Sequence, residues 1–289
     1  MDRRSFLRAL GAVSAAVGVD LVSARPGEAS PSRETGAGRH PTPPATRLKH
    51  WAWMRGKYAS MDDWRRALAT VRAAGIEAVL VSGSPEFYRE HAPAAKAEGV
   101  ELHAWIFTMM RAEHVTTHPD WYAVSRAGVS TADKPPYVDY YRFMCPSRDD
   151  VKQYLLDYVG ELAAIGGLAS IHFDYIRYPD VILPVALWPK YKLVQDREYP
   201  EFDFCYCRTC RDRFKARAGR DPMELADPSH HKDWLQYRYD AITGIVNTLA
   251  DEARRHGTLA TAAVFPTPAI AKALVRQEWT SWKLDAVMP

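Results

Sequence analysis

Ten consecutive residues, SIHFDYIRYP at 170–179, bring together an imidazole, a carboxylate, two phenols and a guanidinium. Asp174 is the group able to exchange a proton or attack an electron-poor carbon. Arg177, three residues on, would hold that carboxylate ionised through paired hydrogen bonds. The competing role is a fixed Asp174–Arg177 pair that only keeps a loop in shape. Side chains alternate along a strand, so Ser170, His172 and Asp174 share one face while Ile171 and Phe173 share the other.

For these groups to converge, the chain must present strand ends on one face. HWAWMR (50–55), IEAVLVSG, VELHAWIF, the stretch around 168–174, LATAAVF and DAVMP read as strands separated by amphipathic helices. Ser60 caps the first helix, with Asp63 at the capping-box position, Trp64, Leu68 and Val71 on the buried face, and Gly75 as its stop. Ser147 and Asp150 repeat the device ahead of a stripe of Val151, Leu155, Tyr158, Leu162 and Ile165. Strands alternating with helices imply parallel pairing by right-handed crossovers. An open doubly wound sheet needs strands apolar on both faces and a glycine-rich phosphate turn, whereas a barrel gathers polar residues at its carboxyl mouth. This α/β pattern therefore predicts a (β/α) TIM-type barrel of about six strands, with His103 and Trp105 on the interior face of the third. Long loops at 111–146 and 175–229 both follow strand carboxyl ends, where barrel sites are built.

Residues 1–24 carry Arg3-Arg4, then Phe6-Leu7, then an apolar run closing at Val22-Ser23-Ala24, the order of a twin-arginine export signal. The run is too short and too rich in Ala and Gly to span a bilayer. The expectation is a soluble protein that the twin-arginine translocase delivers to the periplasm or the exterior, without a stable membrane span. Residues 25–47, rich in Pro, Gly, Ser and Thr, read as a disordered linker, which leaves 48–289 as the folded domain. A net charge of +3 with 25% charged residues is too near zero to suggest an electrostatic nucleic-acid binder.

The four cysteines form a separate constellation: Cys205, Cys207 and Cys210 in the second long loop and Cys145 in the first. They suit a structural zinc site, for which a Cys-x-Cys-x-x-Cys cluster supplies three ligands, or two disulfides, which an oxidising exterior favours. Export of an already folded chain lets thiols meet metal in a reducing compartment, and that tilts the expectation to zinc.

LHAWIF (102–107), HPDWYAV (118–124), IHFDYIRYP (171–179), WLQYRYDAITGIV (234–246), AAVFP (262–266) and WTSWKLDAVMP (279–289) resemble, in order and spacing, the bacterial glycosyl-hydrolase-like family 10. The resemblance covers roughly residues 48–289 and implies a TIM-type barrel that hydrolyses glycosidic bonds in exported bacterial proteins. It also implies two departures: Ala169-Ser170 stands where family members carry Asp-Gly, and the chain stops after about six strands where they continue through two more. Glycoside hydrolysis takes two carboxylates flanking the bond. Asp174 is the first, as nucleophile or transition-state stabiliser; Glu201 and Asp203 are candidates for the second, with Asp139 behind them.

Sugar rings stack on indole and phenol faces. Trp53, Trp105, Tyr175, Tyr178, Trp279 and Trp282 fall near strand ends as substrate contacts, and Arg55, Arg177, His103 and His172 are the polar ones. Core packing competes for each of these aromatics, and Trp64 and Trp234 on helices take that role. Neither histidine has the spacing of a metal pair, so catalysis is expected to need no cofactor. Together these features imply an exported glycoside hydrolase acting on an extracellular or cell-wall polysaccharide. The alternative is a non-catalytic carbohydrate-binding barrel derived from one.

Overall fold

The computed structural model describes residues 48–289, and the export signal and linker expected over 1–47 lie outside the described residues. Leu48–Pro289 forms one compact unit. Its six parallel strands pair in chain order as a curled half-barrel: β1 (Trp51–Met54), β2 (Ala78–Val81), β3 (Glu101–Phe107), β4 (Leu168–Asp174), β5 (Leu259–Ala263) and β6 (Ala286–Met288). Helices α1 (Met61–Ala73), α2 (Pro85–Ala97) and α3 (Asp149–Ala163) make the first three crossovers. The fourth holds α4 (Trp188–Tyr191), α5 (Arg208–Ala218) and the long α6 (Lys232–Arg255), and α7 (Pro268–Val275) makes the fifth. Among the described residues no helix is long and apolar enough to cross a membrane.

The period-2 pattern decides which face goes where. Val79, Val81, Leu102, Ala104, Ile106, Ile171, Phe173, Ala260 and Ala262 are all buried on one face, beneath helices. Each large one is worth about 1.5–3 kcal/mol on burial, which fixes the register: a slip by one residue would turn Ser170 and His172 outward. At the rim, Gly56 follows β1 where a Cβ would stand 1.9 Å from the Ser82 carbonyl oxygen, so only glycine lets these strand ends approach.

Helix starts follow local chemistry at α1 but not at α3. Ser60 Oγ accepts the Asp63 amide at 3.2 Å and donates to its carboxylate at 3.0 Å. Ser147, expected to cap α3, instead accepts the Tyr237 hydroxyl of α6 at 3.1 Å, and Arg148 occupies the cap without a side-chain bond. Asp150 is taken by Arg148, so the expected capping box does not form. The buried stripe runs through Val159 rather than Tyr158, whose ring turns to the Arg111 guanidinium 4.3 Å away.

Candidate active site

The interior face of the sheet carries a continuous polar chain. His103 Nδ1 meets Ser170 Oγ at 2.7 Å, Ser170 meets Thr261 Oγ1 at 3.2 Å, and His172 Nδ1 meets the same Thr261 oxygen at 2.8 Å. All four side chains are buried. Burial pushes His103 down to about 4 and His172 down to about 3, so both rings are neutral at physiological pH. Trp51 packs on His103 with ring centres 4.0 Å apart, and Trp53 meets His172 edge-on at 6.1 Å. The two histidines expected as sugar contacts are therefore buried floor residues, engaged through Nδ1 while the Nε2 of each is buried without a hydrogen-bond partner. Trp53, half exposed, stays open to a ligand on this face, and Arg55 is exposed just beyond β1.

Asp174 ends β4, one strand period above His172. Its position is fixed from both sides. The Thr108 amide donates to the Asp174 carbonyl at 2.8 Å, continuing the β3–β4 ladder past the last register pair, Phe107 with Asp174. The carboxylate accepts Trp105 Nε1 at 2.9 Å and the Tyr175 amide at 2.7 Å. Burial raises its pKa above the usual carboxylate value, although these two donors and the more distant Arg177 pull the other way. The result is a part-buried acid whose proton affinity is raised, aimed by two fixed donors.

Arg177 does not hold Asp174. It donates to Asp180 Oδ2 at 3.0 Å, to the Tyr178 carbonyl at 3.0 Å and to the Tyr141 hydroxyl at 2.7 Å. Its guanidinium lies 5.2–5.7 Å from the rings of Tyr141, Phe143, Tyr175 and Phe265. Tyr141 also donates to Asp180, at 2.6 Å. Both the fixed Asp174–Arg177 pair and the sugar-contact role expected for Arg177 give way to a buried latch between the two long loops. The turn between them needs a left-handed residue, and Tyr175 supplies it at φ 50, a conformation non-glycine residues rarely hold. The Tyr175 ring is half-buried among Phe107, Tyr141 and Phe143. Tyr178 is buried outright.

Other expected site residues are displaced from the mouth. Asp203 is fully buried among Arg238, Arg276 and Arg126 and accepts the Tyr206 hydroxyl at 2.7 Å. Burial works to raise its pKa, but Arg238 and Arg276 outweigh it and hold the carboxyl below the usual range. With no exposed surface and three arginines around it, Asp203 has the place of an ion-pair hub. Glu201 is exposed and lines a separate pocket of about 330 Å³ with Tyr137, Tyr191 and Phe202, away from the β4 end. Asp139 is exposed too. Trp279 and Trp282 precede β6 and so lie toward its amino end; Trp282 is buried, donating to Thr243 of α6 at 3.2 Å.

Sequence reasoning passed over Thr261, the shared acceptor or donor of the floor, and Glu113. Glu113 lines a rim pocket of about 140 Å³ with Ser82, Gly83, Trp105, Phe107 and Arg111. Burial acts to raise its pKa, but Arg111 and its own backbone amide bring it below the usual value. The signal was faint: an acid six residues past the end of a barrel strand.

Cys145, Cys205, Cys207 and Cys210 are free, fully or almost fully buried, and bring their Sγ atoms within 4.8 Å of one another. Cys145 lies 3.4 Å from Cys210 and 3.5 Å from Cys207, far beyond a disulfide bond of about 2.05 Å. Tetrahedral zinc with bonds of about 2.3 Å spaces its sulfurs by about 3.8 Å, so this thiol set matches a four-cysteine site with little movement.

No family model matches the chain, and no curated protein matches it. Among solved structures it is similar to glycoside hydrolases. The β-galactosidase of the Antarctic haloarchaeon Halorubrum lacusprofundi superposes with a TM-score of 0.56 at 13% identity, covering 78% of this chain and 39% of that one. The β-galactosidase of the psychrophilic Marinomonas ef1 gives 0.54 at 14% identity over 75% of this chain and 37% of its own. The PgaB (BpsB) glycoside hydrolase domain from Bordetella bronchiseptica gives 0.53 at 10% identity, with 83% and 73% covered. The chain thus spans under two-fifths of the length of the two β-galactosidases. At these identities the likeness establishes a glycosidase-like fold.

Proposed function

We propose that this chain is an exported glycoside hydrolase, of the bacterial glycosyl-hydrolase-like family 10 type, that cleaves glycosidic bonds in an extracellular or cell-wall polysaccharide. The observation that carries the reading is Asp174: a carboxylate with raised proton affinity, at the carboxyl end of a parallel strand in a glycosidase-like fold, held by Trp105 and the Tyr175 amide. Glu113 is the carboxylate the rim offers as its partner. Two acids whose surroundings push their pKa values apart divide into a proton donor and an ionised group. Asp174, raised, is suited to protonate the leaving oxygen, and Glu113, lowered, to stay charged; Trp105, which lines the Glu113 pocket and donates to Asp174, is the residue the two share. Trp53 and Trp105 offer indole surface for a sugar ring. Arg3-Arg4 and the apolar run after them support delivery through the twin-arginine translocase to the periplasm or beyond. Catalysis is assigned no cofactor, and the four cysteines enter as a structural zinc site.

A second reading, a carbohydrate-binding barrel without turnover, draws on the burial of Asp203 in ion pairs, which removes one expected catalytic acid. The test is reducing-end release from a panel of glycans, including peptidoglycan strands, by the wild type, Asp174→Asn and Glu113→Gln. The hydrolase reading expects one substrate to be cleaved and each variant to fold yet lose about 10²–10⁴-fold in rate. Folded proteins that bind a glycan but release nothing would establish the binding module instead.

A further inference from the structure

We infer that the four cysteines hold one zinc ion and that Tyr178 donates its hydroxyl to the zinc thiolates, so that metal loading sets the loop that carries Asp174. Three observations lead there. First, the ligands come from both long loops: Cys145 is 62 residues from Cys207 and 65 from Cys210 along the chain. A metal at their centre fastens the two loops that wall the mouth. Second, four thiolates around one zinc leave a net charge of −2 in a buried place, and such a charge needs donors. The Val124 amide gives one, to Cys205 at 3.4 Å. Third, the Tyr178 hydroxyl is buried with no hydrogen-bond partner, four residues past Asp174 on the loop that goes on to supply Cys205, Cys207 and Cys210. A buried hydroxyl with nothing to donate to is rare, and a metal-bound thiolate is the acceptor we assign to it.

The coupling to the site runs along the backbone. Tyr178 is four residues past Asp174, and its amide donates to the Val275 carbonyl at 3.2 Å, while the Val181 amide donates to Leu274 at 2.9 Å. One residue before Tyr178, Arg177 closes on Asp180 and Tyr141. A hydroxyl pinned to the metal centre therefore anchors the same turn that aims the carboxylate. The link to Asp174 rests on the glycoside-hydrolase reading; the metal and its second-sphere donor do not.

The test uses the full chain as purified, with metal analysis, thiol titration of the unfolded protein, and zinc release to a chromophoric chelator. One zinc per chain is expected, lost in Cys207→Ser. Should that variant fail to fold, Tyr178→Phe serves: it keeps zinc but binds it about 10–100-fold more weakly. Hydrogen exchange at the amides of Tyr175, Arg177, Tyr178 and Val181 should quicken when zinc is removed, whether or not any glycan is cleaved. Iron in place of zinc, no metal, or an unfolded chain without titratable thiols before reduction overturns the zinc assignment. An unchanged zinc affinity in Tyr178→Phe overturns the role of Tyr178, and unchanged exchange on zinc removal overturns the coupling.

Discussion

Asp203→Asn separates a structural carboxylate from a catalytic one. Asp203 and Arg238 are both 0% exposed and Arg276 is 2% exposed. Arg238 Nε and one of its terminal nitrogens already lack partners, and apart from Asp203 its hydrogen bond is to the Phe204 carbonyl, at 3.1 Å. Neutralising Asp203 strands that guanidinium, and breaking one side of a buried pair costs about 3–5 kcal/mol. In a domain of this size each kcal/mol moves Tm by about 2–4 °C, so the variant should melt roughly 6–20 °C lower at pH 7. The pH dependence has a definite sign. The folded carboxyl sits below its unfolded value, so the stability it contributes is complete above about pH 4 and is lost as pH falls through the folded value. The gap between wild type and variant should therefore narrow in acid. Calorimetric melts at pH 7 and pH 3 measure both effects. A variant melting within about 2 °C of wild type while losing all hydrolysis would refute the reasoning and return Asp203 to catalysis.

Trp105→Phe removes the indole donor that lowers Asp174, so the pH–rate limb set by Asp174 should move upward by up to about one unit, with Tm little changed; a limb that stays put means the bond does not act on the acid. His103 and His172, held down to about 4 and about 3, charge more readily unfolded than folded. Stability should thus decline below about pH 6.5 by up to about 1.4 kcal/mol per pH unit for each histidine, and His172→Gln should flatten the slope seen in acid melts. At Tyr175, the glycine variant accepts φ 50 without strain, so Tyr175→Gly should be more stable than Tyr175→Ala by about 0.5–1 kcal/mol in urea titrations, net of the freer unfolded chain. Equal stabilities would show that the turn relaxes.

The strands and their inward face were legible because period-2 alternation is a local signal: Ser170, His172 and Asp174 fall on the face that Ile171 and Phe173 do not. The cysteine cluster was legible for the same reason, three of its members lying within six residues. What could not be read was pairing at a distance. Ser147 has the sequence of a cap, but Tyr237, 90 residues away, takes its hydroxyl. Asp203 reads as a loop charge until Arg238 and Arg276 close on it. Trp282 sits beside a predicted strand, yet at its amino end, so its indole is spent on Thr243. In each case the local pattern offered a hydrogen-bonding group, and tertiary contact chose its partner.

The Asp174-to-Asp180 segment shows why that choice bears on chemistry. Strict alternation would set Asp174, Ile176 and Tyr178 on one face and leave Tyr175 and Arg177 on the other. The left-handed Tyr175 ends the alternation directly after the acid. Asp174 keeps its place against Trp105, while Arg177, three residues away, turns under the loops to Asp180 and Tyr141. Had Arg177 paired with Asp174, the cation would have held that carboxylate ionised and low; with Asp180 taking the guanidinium, burial is free to raise it. A turn of one residue thus separates the acid from the charge that would have lowered its proton affinity.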